Sequence, residues 1–305
     1  MTRRSMTPDQ EPIFASVDDV ADRLAAVVYL PDAGVATTVY LADRLGRPLL
    51  VEGPAGVGKT ELAKAVAAAT GSGLVRLQCY EGLDEARALY EWNYRKQLLR
   101  IQAGQPAGGD GQQAWAAVHD DIFGEEFLLA RPLLTAIRRT EPTVLLVDET
   151  DKTDMEVEAL LLEVLSDFQV TVPELGTIEA RRRPFVVLTS NATRELSEAL
   201  KRRCLYLHLD YPEADREVAI VRSRVPELPV QLAEQLVRVV RALRSLDLRK
   251  PPSVAETVDW ARTLVVLGRD DLDDGLVRST LGVVLKHRVD QQAAARELRL
   301  PPVST

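Results

Sequence analysis

The chain has 305 residues with 46% hydrophobic and 28% charged content, an ordinary globular composition long enough for one large domain plus a smaller one. A formal net charge of -8 supplies no overall attraction for a polyanion, so nothing in the charge supports a nucleic-acid partner. No apolar run approaches the roughly 20 residues of a membrane span, and the polar, Pro-containing stretch after Arg3-Arg4 is not an export signal, so the expected location is cytoplasmic.

In chain order, residues 16–45 repeat apolar positions at helical spacing, as in Val20, Leu24 and Val28, then Val35, Val39 and Ala42. Two helices are predicted, separated near Pro31-Asp32. Gly46-Arg47-Pro48 breaks the pattern, and Leu49-Leu50-Val51 is a short apolar run of the kind that forms a buried parallel strand. Residues 61–70 are Ala-rich and helix-forming, and Gly71-Ser72-Gly73 stops them. Similar buried strands are predicted at 74–77, 144–147, 185–188 and 205–209, with helices at 128–139 and 157–168, so strand and helix alternate and the sheet is parallel. A polar Gly/Pro/Gln stretch at 102–113 reads as a loop. Past Tyr211-Pro212 the pattern is helical alone, at 213–224, 230–246, 253–267 and 276–289, which marks a second, all-helical domain. No fixed-period repeat occurs. Cys79 and Cys204 each sit in an apolar run and read as buried thiols in a reducing compartment. His119, His208 and His287 are too scattered for a metal site.

Four segments carry chemistry. Gly53-Pro54-Ala55-Gly56-Val57-Gly58-Lys59-Thr60 satisfies G-x-x-x-x-G-K-[ST] between a strand and a helix, with Glu61 next in that helix. Glycines let successive N–H groups turn toward phosphates, Lys59 reaches the outer phosphate oxygens, Thr60 ligates Mg²⁺, and the helix N-terminus adds a positive dipole end. The expected ligand is ATP with Mg²⁺.

Pro142 to Glu149 is an apolar strand that ends in two carboxylates: Asp148 for the metal shell, Glu149 to orient and deprotonate the attacking water. Phe185 to Asn191 is a second apolar strand, ending at the same rim in an amide that can hold the lytic water or a phosphate oxygen without adding charge. Leu200-Lys201-Arg202-Arg203-Cys204 closes a short helix. One of its guanidiniums can bridge phosphate oxygens, although a solvated basic helix end is the plainer reading of that segment alone.

These four segments in this order resemble the AAA+ ATPases, as Walker A, Walker B, sensor 1 and arginine finger, over most of the chain. Within them the chain is most similar to the MoxR branch, through Val51 to Lys64, Leu77-Gln78-Cys79, Val147 to Lys152 and Leu162 to Val172. The last segment runs from a helix into Val170-Thr171-Val172 and a turn at Leu175-Gly176, a hairpin shared with magnesium chelatase-like ATPases. Ser197 to Leu205 also looks like the subset tied to carbon monoxide dehydrogenase maturation.

The resemblance implies a three-layer αβα P-loop domain over residues 13–210, a helical lid over 211–299, and tails at 1–12 and 300–305. It implies a homo-oligomeric ring, a hexamer, in which Arg203, or else Arg202, reaches ATP bound by a neighbour. It also implies remodelling of a protein target alongside a von Willebrand factor A domain protein. Two other functions stay open: a nucleic-acid motor, and a nucleotide-gated scaffold with little turnover. One departure bears on them. Where the family places a sensor 2 arginine in Ser-Pro-Arg, this chain reads Ser253-Val254-Ala255, leaving Arg249, Lys250 or Arg262 as substitutes. Arg181-Arg182-Arg183 reads as a solvated loop or an acidic-partner contact.

Overall fold

The structure is a computed structural model that describes residues 12–103 and 122–301. Two helices, α1 (Val17–Ala26) and α2 (Ala33–Leu45), precede strand β1 (Leu49–Glu52). Ser16 and Asp32 cap them by accepting from the backbone N–H groups of Asp19 and Val35. The P-loop segment leads into α3 (Lys59–Thr70), which Gly71 ends in the left-handed conformation. Next come β2 (Gly73–Gln78), α4 (Glu85–Ala88), β3 (Tyr90–Trp92), α5 (Tyr94–Ala103), β4 (Leu128–Ala130) and α6 (Pro132–Arg138). Then follow β5 (Thr143–Asp148), α7 (Met155–Asp167), the hairpin β6 (Gln169–Val172) and β7 (Gly176–Glu179), β8 (Phe185–Ser190), α8 (Glu198–Arg203) and β9 (Leu205–His208). The C-terminal part is helical: α9 (Ala214–Arg224), α10 (Val230–Arg244), α11 (Val254–Val266), α12 (Asp274–Thr280) and α13 (Arg288–Glu297).

Among the described residues the main sheet has five strands in the order β2-β5-β8-β1-β9, every pairing parallel. Successive residues alternate between its faces. Leu145, Val147, Val186 and Leu188 pack with α6, α7 and α8 on one side, while Val144, Leu146, Phe185 and Val187 pack with α1, α2 and α3 on the other. Covering both faces explains why the strands read as continuous apolar runs. A third cluster, built on Leu232, Leu236, Trp260 and Leu285, lies within the C-terminal helices.

Two expectations, and part of a third, need correction. The segment expected as a single helix over 128–139 begins as β4, paired antiparallel to β3, because Arg131 before Pro132 takes an extended backbone and the helix starts at the proline. The segment 276–289 is α12, a 3₁₀ turn at Leu281–Val283 and the start of a separate helix, α13, which the periodicity did not single out. Of the polar stretch at 102–113, Gln102 and Ala103 belong to α5; residues 104–113, like 1–11 and 302–305 of the expected tails, lie outside the described residues.

Candidate active site

Parallel packing brings the carboxyl ends of all five strands to one edge, where Gln78 pairs in register with Asp148, and Glu52 with both Ser190 and His208. Ligands of open α/β sheets bind outside that edge. β1 delivers the chain there into the glycine loop. A Cβ on Gly53 (φ 149°) would sit 1.9 Å from the Leu209 carbonyl oxygen, and one on Gly56 (φ 74°) would sit 2.5 Å from Ser253. Gly58 (φ 105°) opens α3 with no side-chain cap, so the first N–H groups of that helix are free to face an anion.

Lys59 is 6% exposed. Its Nζ donates to the carbonyls of Gly53 (2.6 Å) and Pro54 (2.7 Å) and to Asn191 Oδ1 (2.8 Å). Burial pulls the Lys59 ammonium below its usual range, opposed by Asp151, Asp148 and Glu149.

Asp148 is held through both oxygens. Oδ1 accepts from Thr60 Oγ1 (3.0 Å) and Thr189 Oγ1 (2.6 Å), and Oδ2 lies 2.5 Å from Arg76 Nη2. Glu149 takes a left-handed backbone (φ 59°), rare for a non-glycine residue, and its N–H donates to Thr189 Oγ1 at 2.9 Å. Its Oε2 accepts from Gln78 Nε2 (2.9 Å) and Lys152 Nζ (2.6 Å). Gln78 in turn accepts from the Arg76 guanidinium.

Asp151, one helical turn past the carboxylate pair, accepts from Thr193 N (3.0 Å) and Thr193 Oγ1 (2.5 Å). Burial raises its carboxyl pKa, but the Thr193 hydrogen bonds and the Asn191 N–H outweigh that and leave it below the usual range. The carboxylate thus pins the segment that carries Asn191.

Lys59, Thr60, Asp148, Glu149, Thr189 and Asn191 line one cavity of about 480 Å³, roofed by the C-terminal helices. Val28, Tyr29 and Leu30 form an apolar wall, with Val28 in a left-handed conformation (φ 62°). Arg216 of α9 pairs with Asp32 and donates to the Leu30 carbonyl (2.9 Å). Arg224 reaches Glu61 at 3.3 Å. Ala255 N donates to the Gly56 carbonyl at 3.2 Å, so the segment matched to Ser-Pro-Arg touches the glycine loop with backbone and small side chains. Of the three suggested substitutes only Arg262 lines the cavity, paired with Asp259; the Lys250 ammonium pairs with Glu256, and Arg249 contacts Asp290 through its backbone.

The donor set fits magnesium with a triphosphate. Thr60 and Asp148 offer hard oxygens within 3.0 Å of each other, the kind of donor that magnesium takes alongside phosphate and water.

The fold therefore brings together Lys59, Thr60, Asp148, Glu149 and Asn191. Glu61 joins the cavity, its carboxylate taken by Lys64 and Arg224. Gly53 and Pro54 take part through their carbonyls. Arg203 is elsewhere: exposed at the end of α8, its Nε donating to Ser166 Oγ at 2.6 Å, while Arg47 holds the carbonyls of Arg202, Arg203 and Cys204. Sequence reasoning missed Arg76, Lys152, Arg216 and Arg224. Arg76 had a readable signal, since it lies two residues before Gln78 and so shares its face of the strand.

Sheet topology, glycine loop and buried lysine define a P-loop nucleotide-binding protein. A family model for the ATPase family associated with various cellular activities (AAA) matches residues 49–209, and the chain belongs to this family of ATPases. Among curated relatives it is similar to the gas vesicle ATPase GvpN of Haloferax mediterranei, 26% identical over 84% of this chain and 72% of that protein. It is also similar to chaperone protein ClpB 1 of Synechococcus elongatus, 28% identical over 95% of this chain but 25% of that protein, and to ClpB of Corynebacterium glutamicum, 32% identical over 60% of this chain and 19% of that protein. No helix among the described residues is long and apolar enough to cross a membrane.

Proposed function

We propose that the chain is a chaperone-like remodelling ATPase of the MoxR branch, hydrolysing ATP at the subunit interfaces of a cytoplasmic ring, a hexamer, to assist assembly or cofactor maturation of a protein target. The observation that carries this reading is the Lys59 ammonium fixed between the glycine-loop carbonyls and Asn191, beside the Asp148 and Glu149 carboxylates. The β6–β7 hairpin between α7 and β8 supports the branch, and the GvpN and ClpB relatives support action on protein assemblies. A von Willebrand factor A domain protein is the partner this reading expects, and an enzyme such as carbon monoxide dehydrogenase is the kind of target.

In this reading the N–H groups of Gly56, Val57 and Gly58, with Lys59, would hold the phosphates, and Thr60 and Asp148 would ligate magnesium. The metal when bound draws charge from the phosphate oxygens. Glu149 takes a proton from the attacking water, and Asn191 orients it. The apolar wall of Val28, Tyr29 and Leu30 receives the base, and Arg203 of one subunit completes the site of the next.

Subunit mixing tests the interface claim. Arg203→Ala and Glu149→Gln proteins, each of low turnover alone, regain turnover when mixed, because mixed interfaces pair an intact Glu149 with an intact Arg203. A mixture no more active than its parts rejects hydrolysis in trans.

One observation favours a second reading, the nucleotide-gated scaffold: Gln78 and Lys152 hold the Glu149 carboxylate, and Ala255 stands where a lid arginine is expected. Rings that form with ATP but release no phosphate, even with the partner present, would select it.

A further inference from the structure

Asp148 is 3% exposed, and its two oxygens are used differently. Oδ1 takes the hydroxyls of Thr60 and Thr189, while Oδ2 faces the Arg76 guanidinium at 2.5 Å. Arg76 comes from β2, an edge strand of the sheet, and its side chain is 48% exposed. A buried carboxylate needs a counter-charge, and a half-exposed arginine supplies one that can leave for water at small cost.

A divalent cation shared by Thr60, Asp148 and phosphate would place two further positive charges within a few ångströms of that guanidinium. Like charges so close disfavour each other in a partly dry site. Arg76 and the metal therefore compete for one carboxylate. The guanidinium also donates to Gln78, whose amide nitrogen donates to Glu149 Oε2. Arg76 and Gln78 in sequence thus link the carboxylate of the metal shell to the one assigned to the attacking water.

We propose that Arg76 is a displaceable counter-ion for Asp148, a positioning residue whose departure on metal binding sets the magnesium requirement and releases Gln78 from its present orientation. The inference rests on the assignment of Asp148 to the metal shell.

Binding of a fluorescent ATP analogue to the full chain, titrated with magnesium, tests it without measuring hydrolysis. Arg76→Gln lowers the magnesium concentration for half-maximal effect about fivefold, the size of an ion pair at the strong end of the partly exposed range. Arg76→Lys, which keeps the charge, stays near the unsubstituted protein. An unchanged or raised half-saturation in Arg76→Gln overturns the proposal, since a purely structural arginine would lower stability without easing metal binding. Asp148→Asn separates the two layers. If it leaves the magnesium dependence intact, the metal-shell assignment itself has failed; if it abolishes the dependence while Arg76→Gln changes nothing, only the role of Arg76 has failed. Should Arg76→Gln not fold, the Arg76 Nε–H resonance of the unsubstituted protein decides: it moves with magnesium plus nucleotide and stays put with nucleotide plus chelator, and an immobile signal contradicts displacement.

Discussion

The Lys59 ammonium lies 2.8 Å from the Asn191 side-chain oxygen, joining the first turn of α3 to the end of β8 across 132 positions of sequence. The glycine loop and the neighbouring strand tip are thereby tied together through the lysine.

Removing that lysine should abolish nucleotide binding more than stability. Lys59→Ala loses charge-assisted hydrogen bonds worth about 1.5–3 kcal/mol each, so affinity for a fluorescent ATP analogue falls by about a hundredfold or more. Titration of the folded variant checks this, with its melting curve as the control for folding.

The contact between Gly56 and the start of α11 should couple the glycine loop to the C-terminal helices. Gly56→Ala drives a methyl group into Ser253, weakening nucleotide binding and loosening the start of α11, and Ser253→Gly restores part of the loss. The strain of φ 74° at position 56 remains, about 1–2 kcal/mol, so rescue is incomplete. A double-mutant cycle on nucleotide affinity reads the coupling.

Within the C-terminal helices, Arg244 forms a two-pronged ion pair with Glu217, at 2.7 Å and 2.8 Å, and Glu217 also accepts from Thr257 Oγ1 at 3.0 Å. Glu217 is 0% exposed and the Arg244 side chain 9%. Arg244→Met leaves a buried carboxylate without its cation and costs about 3–5 kcal/mol of stability, measured by urea unfolding.

How much of this was legible beforehand follows from range. β1, the glycine loop and α3 are contiguous, and β5 announces its end by placing Asp148 and Glu149 after an apolar run, so the centre of the site could be read residue by residue. β4 could not be seen in a helix-favouring Leu-Leu-Ala run, because its strand character comes from pairing with β3, although the Arg131-Pro132 step already argued against a helix from 128. α13 was missed despite the helix-forming Ala293 to Glu297 run, a signal present and not used. Arg216 and Arg224 gave no local sign of function: α9 alone is an ordinary charged helix, and only its docking against Asp32 and Glu61 gives those arginines a place at the cavity.

Burial pushes both thiols, Cys79 and Cys204, up to about 12. The folded state keeps them protonated above the usual value of 9.0, at which an unfolded thiol ionises. The unfolded state therefore binds fewer protons in that window, and stability falls as pH rises from about 9 toward 12. Native protein should react negligibly with a thiol reagent at neutral pH and at two sites per chain once unfolded; prompt labelling of the folded chain would contradict their burial.

Glu149 supplies the most direct test of the hydrolytic site. Magnesium-dependent phosphate release and ATP-analogue binding are measured side by side for the unsubstituted chain and for Glu149→Gln. Turnover falls by about a hundredfold or more while affinity stays within a few-fold, because the amide keeps the shape but cannot take a proton. Undiminished phosphate release by Glu149→Gln would contradict the account.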